Sequence, residues 1–305
     1  MRTTGDFAKE EAAKLLERLA FQMARTLKSQ STTEVHDLRV AIRRFVRVLI
    51  VLKPCFPRDE SRRIRRKLKK IMIQAGSVRD LDIAMQLVAT LTPSGSLGRQ
   101  FRSEREETAR ELAVLLKSWL RRRYTAKWRL ALKSECAADG FCANSVVTTA
   151  REILPRMTKE YFRHGEDAAR DKAPAEELHR FRIAAKNFRY TLDLFAPVYG
   201  SSTLGLIRQL KGIQKLLGEF NDCATVRRMV SRYRGSQETS ASLKKRQRKK
   251  AEQFQKNWTA AYSGAATARQ WTVTLRHVGD QIRGARKPPA RSTPAPSTLR
   301  RLASV

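Results

Sequence analysis

Apolar residues along the chain recur at intervals of three and four, and no convincing β-branched run alternates with period two. That pattern predicts helices throughout and an all-α fold class. Phe7 to Leu27, rich in Ala, Leu, Glu and Lys, reads as a first helix, and Ser29 to Thr33 as a polar break. Val35 to Leu52 reads as a second, closed by Lys53-Pro54-Cys55-Phe56-Pro57 because proline cannot continue a helix. Ser61 to Ala75 predicts a third, with Gly76 as its break. Asp80 to Leu91 predicts a fourth, ending in Thr92-Pro93-Ser94-Gly95. Phe101 to Lys133 predicts one or two more, and the small, polar Ser134 to Ser145 is the best internal boundary. From Gly284 to Val305, four prolines among Ser, Thr and Ala predict a disordered tail.

The helical pattern is written twice. A shift of 143 residues lays Val35–Phe45 over Leu178–Phe188, with His, Arg, Ala and Phe coinciding. A shift of 142 matches Leu68-Lys69-Lys70-Ile71 to Leu210-Lys211-Gly212-Ile213, and Gly76–Asp80 to Gly218–Asp222. Two matched blocks in one order predict a tandem duplication: residues 1–135, residues 145–283 and the tail 284–305.

Within each copy one helix has two chemically distinct sides. His36, Arg39, Arg43 and Arg47 share an arc of about 80°, with Leu38, Ile42, Phe45, Leu49 and Leu52 roughly opposite. The second copy sets His179, Arg182 and Lys186 against Phe181, Ala185, Phe188, Leu192 and Phe195. Val40 and Ile50 lie near the cationic front, which fits a groove better than an open surface. The following helices add Arg62, Arg66 and Lys69 in one copy and Arg208, Lys211 and Lys215 in the other; Arg189 completes the candidate contacts. Arginine forks suit paired phosphate oxygens, and lysine supplies a point charge.

Composition sharpens the picture. Sixty-three Lys and Arg against 29 Asp and Glu give a net charge of +34. Ser61–Lys70 alone carries seven basic residues in ten, although like charges at i,i+4 cost ~0.2–0.5 kcal/mol each in an isolated helix. Such crowding implies an anionic partner. No apolar stretch is long enough to span a membrane, and the opening residues lack an apolar signal core, so a cytoplasmic protein is expected. Cys55, Cys136, Cys142 and Cys223 form no C-x-x-C pair and read as reduced, packed thiols; no metal and no cofactor is expected. His164 and His277 read as surface residues. Asp80 and Asp222 read as helix caps or orienting partners of an arginine, and Gly76 and Gly218 as turn or close-packing positions.

The paired phrases H-x-x-R-x-x-x-[RK]-x-F at His36 and His179, and G-x-x-[RN]-D at Gly76 and Gly218, resemble the CHAD family, the conserved histidine α-helical domain. The resemblance covers roughly residues 7 to 283. It implies two pseudo-symmetric four-helix bundles around a basic central channel, and binding of inorganic polyphosphate. By family motif, His36, Arg39, Arg43, His179, Arg182 and Lys186 would line that channel. The resemblance alone also implies association with polyphosphate granules. Arg44 and Arg47 become Asn187 and Tyr190 in the second copy, so the halves differ in charge. Relatives are often linked to triphosphate-tunnel enzymes, whose E-x-E-x-K strand motif is not matched by Glu104–Thr108.

Three functions are weighed. A non-catalytic polyphosphate-binding module needs only charge and forked donors along a groove. A nucleic-acid binder would add aromatic platforms or a base-reading helix. An enzyme of phosphoryl transfer would pair carboxylates with the cations. The first is the expectation, with nucleic acid as the alternative and no enzymatic activity.

Overall fold

The computed structural model describes residues 2–91, 96–133, 140–199 and 203–284, with side chains to residue 276. Helix α1 spans Thr4–Ser29, opened by Thr3, whose Oγ1 accepts from the Asp6 N–H. Gln30 turns left-handed (φ 51°) and closes it. Ser31 then caps α2, Thr32–Val51, by accepting from the Glu34 N–H. Pro54 ends α2 in a 3-10 turn, Lys53–Cys55. Next come α3 (Arg58–Leu91), α4 (Leu97–Arg121), α5 (Tyr124–Ala131) and the short α6 (Gly140–Ala143). After these come α7 (Val146–Ala169), α8 (Ala175–Tyr199), α9 (Leu204–Val230), α10 (Gln237–Ala261) and α11 (Ala265–Gly284). All eleven are helical, and among the described residues the only β pairing is an isolated Thr3–Ser145 bridge.

One expectation is corrected here. Gly76 does not break a helix, and neither Asp80 nor Asp222 caps one; α3 and α9 run through all three. In α3 the buried stripe Ile64, Leu68, Ile71, Ala75, Val78 and Leu81 continues at helical spacing across Gly76. Its packing outweighs the roughly 1 kcal/mol by which glycine disfavours a helix interior. The expected turn at 92–95, Cys136, the His277 side chain and the tail from 285 on lie outside the described residues.

Packing follows a circuit in each repeat. In the first, α1 packs on α2, α2 on α3, α3 on α4, and α4 back on α1. In the second, α7 packs on α8, α8 on α9, α9 on α10, and α10 back on α7, with α11 laid against α7. The circuits are not separate bodies. One continuous core includes residues of both, and Phe7 of α1 stacks on Phe195 of α8 at 5.8 Å between ring centres. A second core joins Leu81, Ala84 and Val88 of α3 to Phe101 of α4 and to Val226 and Val230 of α9. Beside it, Arg105 ties three segments together, its Nε donating to buried Asp82 at 2.9 Å and its Nη2 to the Gln30 carbonyl at 2.6 Å. Cys55 and Cys223 are buried, and the Cys142 thiol reaches Cys55 Sγ at 3.1 Å.

The second repeat is centred on aromatic side chains. Tyr161 of α7 meets Phe181, Phe188, Trp258 and Trp271, all with ring centres within 5.8 Å of its own. Trp258 reaches this cluster by packing its outer ring against Gly165, where an added Cβ would stand 2.0 Å from its Cη2. Gly165→Ala is therefore expected to destabilise the fold by about 1–3 kcal/mol through overpacking. Gly212→Ala, in α9 with open space around it, is expected to be neutral or to stabilise by up to ~1 kcal/mol. Thermal unfolding of both variants checks the pair; equal melting temperatures would contradict the packing described.

Candidate functional site: the cationic junction of α2, α3, α8 and α9

Two cross-repeat contacts build the site: α2 packs on α8, and α3 on α9. The apolar sides of α2 and α8 are committed to the core through Leu38, Phe45, Phe181 and Phe188, so their cationic sides face each other. Arg39 and Arg43 of α2 thereby come within electrostatic reach of Arg182 and Lys186 of α8. Arg79 and Asp80 from α3, with Asp222 and Arg228 from α9, share that field.

Particular contacts hold the junction. Arg43 Nε donates to the buried Tyr190 hydroxyl at 3.0 Å, and the Arg189 guanidinium lies over the Tyr190 ring at 4.4 Å. Arg189 is further tied down, donating to Gln214 at 2.7 Å and to Asp193 at 3.3 Å. Asp193 also pairs with Arg44 across the α2–α8 contact at 3.7 Å. A Cβ added at Gly76 would stand 2.7 Å from Arg39 Nη1. The glycine thus lets a guanidinium rest on the α3 backbone. Its repeat counterpart Gly218 has no such neighbour.

Beside the junction lies an open cavity of about 440 Å³, bordered by Arg43, Arg47, Arg65, Lys69, Lys186 and Tyr190. Ile50 and Ile183 form apolar stretches of its wall. A second hollow of about 350 Å³ shares Arg47, Ile183 and Asn187 with it and adds Arg180 and His164. The two adjoin at the three shared residues. Among the described residues no cluster of three or more His, Cys, Asp or Glu is arranged to hold a metal ion.

Burial and like charge oppose the cations here. Arg39 is lowered to about 10 by burial and then by Arg43, and Arg47 to about 10 by burial. Lys186 drops to about 7, again through burial and then through Arg182, Arg43 and Arg39. Burial also lowers Arg182, and it lowers His36 with help from Arg79 and Arg43. Asp80 and Asp222 are raised by burial, which outweighs the pull of the surrounding arginines. The junction therefore stores cationic charge that two carboxylates only partly offset.

The sequence-derived candidates divide into groups. Arg39, Arg43, Arg182 and Lys186 converge, and Arg47 and Lys69 line the adjoining cavity. His36 and His179 are exposed, His36 still within the field of Arg79 and Arg43. Arg62 is exposed, as are Arg208, Lys211 and Lys215 along α9. Arg66 faces the other flank of α3, and Arg65 takes the place beside Lys69. Sequence reasoning missed Arg79, Arg228, Arg65, Arg180 and His164. Arg79 was readable from its place next to Asp80 in the duplicated G-x-x-[RN]-D phrase. Arg180 and His164 carry no signal, since only the approach of α7 to α8 brings them in.

Asp80→Asn with Asp222→Asn removes the two internal counter-charges. We expect the anion-free protein to hold or slightly gain stability, since burial disfavours the charge on each carboxylate by more than the surrounding arginines favour it. Affinity for a polyanion should rise several-fold. Melting curves with and without tripolyphosphate check both signs.

Comparison with known proteins places this architecture. The crystal structure of the CHAD domain from the plant Ricinus communis superposes with a TM-score of 0.64 at 18% identity, covering 90% of this chain and 91% of that one. PptA from Streptomyces chartreusis superposes with a TM-score of 0.54 at 15% identity, covering 93% and 98%. At these identities the likeness is one of fold. No curated protein matches the chain. The sequence model for the CHAD domain matches residues 10–231. That span takes in α2, α3, α8 and α9, the four helices whose cations meet, and the chain belongs to the CHAD domain family.

Proposed function

We propose that the chain binds inorganic polyphosphate, without chemical turnover, in a basic channel where the two repeats meet. The family is linked to polyphosphate binding in general. In this reading the two helix circuits are tandem four-helix bundles related by a pseudo-twofold axis, which pairs Arg39 with Arg182, Arg43 with Lys186, and Asp80 with Asp222. The observation that carries the proposal is the convergence of Arg39, Arg43, Arg182 and Lys186 from two helices whose other sides are sealed in the core. Arg47 and Lys69 would extend the contact along the cavity, and His36 and His179 would stand at its margins. Arg65, Arg79 and Arg228 join them; Arg189, already held by Gln214 and Asp193, would position Tyr190 and through it Arg43.

Polyphosphate fits such a site for a physical reason. It carries about one charge per unit on a flexible backbone with no bases, so dense forked donors on a groove suffice for recognition. Nucleic acid spaces its phosphates farther apart and interposes bases. The buried aromatic rings Phe181, Phe188 and Trp258 serve the core, which leaves them unavailable as stacking platforms. No described helix is long and apolar enough to cross a membrane. The proposal includes a cytoplasmic location at polyphosphate granules.

Arg39→Glu with Arg182→Glu is expected to weaken binding of long-chain polyphosphate at least a hundredfold while the helical circular dichroism is retained. Unchanged affinity would misplace the channel. Displacement of polyphosphate by duplex DNA or RNA at equal phosphate concentration and physiological salt would favour the nucleic-acid reading instead, and phosphate release by the pure protein with Mg²⁺ would establish turnover.

The pH dependence follows from Lys186. Its pKa of about 7 lies below the ordinary lysine value, so the ligand-free protein gains stability from this group as pH rises above 7. An anion reverses the preference by holding the lysine charged, and binding takes up a proton. Affinity is therefore expected to fall as pH rises from 6 to 8.5, by at most about tenfold per unit above 7 for one proton. Calorimetry in buffers of different ionisation enthalpy measures the uptake; a Lys186→Met variant should lose it.

A further inference from the structure

Helix α3 is cationic on two flanks, separated by the buried stripe Ile64, Leu68 and Ile71. Arg65 and Lys69 face the cavity beside α2 and α8. On the other flank a distinct open cavity of about 470 Å³ is lined by Arg63, Arg66, Lys67 and Lys70 of α3 and by Arg122 and Tyr124 beyond the end of α4. Among the described residues no carboxylate lines it. Arg63 is, among the described residues, the one member with an acidic partner, donating to Glu60 at 2.9 Å along the helix.

The cavity is held in shape. Arg123 turns left-handed (φ 52°) between α4 and α5, which brings Tyr124 back against α3. The Tyr124 ring packs edge-on against buried Trp119 at 5.2 Å and tilts against Trp128 at 6.0 Å. Its hydroxyl accepts from Lys67 Nζ at 2.8 Å and from Arg122 Nη1 at 3.4 Å. Two cations from distant parts of the chain are thereby gathered on one oxygen, while Arg66 and Lys70 stand exposed beside them.

We propose that this outer groove is a second, independent site for a short run of condensed phosphate. The inference rests on the phosphate chemistry proposed above and adds a site that the channel does not contain. Bare phosphate suits it better than a nucleotide. Trp119 is only 3% exposed, and Lys67 already lies over the Tyr124 ring at 4.3 Å, so neither ring offers a face for a base. Five cations around such a volume match an anion of about three to five phosphate units. Two sites on opposite flanks of one helix would let a single protein hold two chains, or two stretches of one.

Titration calorimetry of the full chain with tripolyphosphate at 150 mM salt tests this. The expected result is two sites per protein. Arg66→Glu with Lys70→Glu should leave one site, weakening the outer one more than tenfold; both residues are exposed, and unchanged melting would verify the fold. Tyr124→Phe should weaken the outer site a few-fold and leave the other unaltered. One site in the unaltered protein, retained at full strength by the Arg66/Lys70 variant, would overturn the inference and leave the channel standing. If Arg39→Glu with Arg182→Glu keeps both sites while the Arg66/Lys70 variant loses one, the channel reading fails and the outer groove stands. Displacement of tripolyphosphate from the outer groove by a single-stranded oligonucleotide at equal phosphate would also overturn the inference.

Discussion

Like charges pressed together at a partly desolvated junction are the constraint that organises this protein. Arg39, Arg43, Arg182 and Lys186 approach one another although each of the three arginines disfavours the charge of a cation beside it. In water such groups would separate, and only the packing behind them prevents it. Leu38, Ile42, Phe45 and Leu49 on α2, and Phe181, Phe188, Leu192 and Phe195 on α8, are all essentially inaccessible to solvent. Each buried side of this kind contributes several kcal/mol, at roughly 1.5–3 kcal/mol per large side chain, more than the screened repulsion opposite it. The junction is thus a strained electrostatic arrangement on a rigid apolar support.

That support is shared between the repeats. The stacking of Phe7 on Phe195 and the second core joining α3 and α4 to α9 and α10 keep the two circuits from moving apart under repulsion. Arg105, bonded to Asp82 and to the Gln30 carbonyl, fixes α4 and the α1–α2 connection against α3 just beyond Asp80. An arrangement assembled this way is preformed, and the cost of gathering the cations is met by the fold. Asp80 and Asp222 act as weak internal counter-ions, and burial limits how well they can serve.

The two matched sequence blocks differ where their helices touch. Arg47 of the first corresponds to Tyr190 of the second, which is buried and accepts from Arg43. The substitution exchanges a cation for a neutral acceptor that orients a cation from the other repeat. A similar divergence separates Gly76, pressed by Arg39, from Gly218, which faces open space. Equivalent sequence positions therefore do different work on the two sides of one junction.

Much of this was legible in the residues themselves. Spacing of apolar positions located α1 and α2 to within a few residues, and the duplicated His-Arg phrase singled out Arg39, Arg43, Arg182 and Lys186. Periodicity sees one helix at a time, however. It could not tell that α3 continues through Gly76, because the contacts that hold it there come from other helices. It grouped Arg66 with Lys69 although the bulk of α3 divides them, and it left His164 on the surface although α7 brings it to the groove. Which side of each helix is apolar and which is charged is written in local order, since a fixed rotation per residue converts spacing into direction. Which charged sides meet, and how far burial weakens their protonation, depends on helices far apart in the chain, and only their packing in three dimensions decides it.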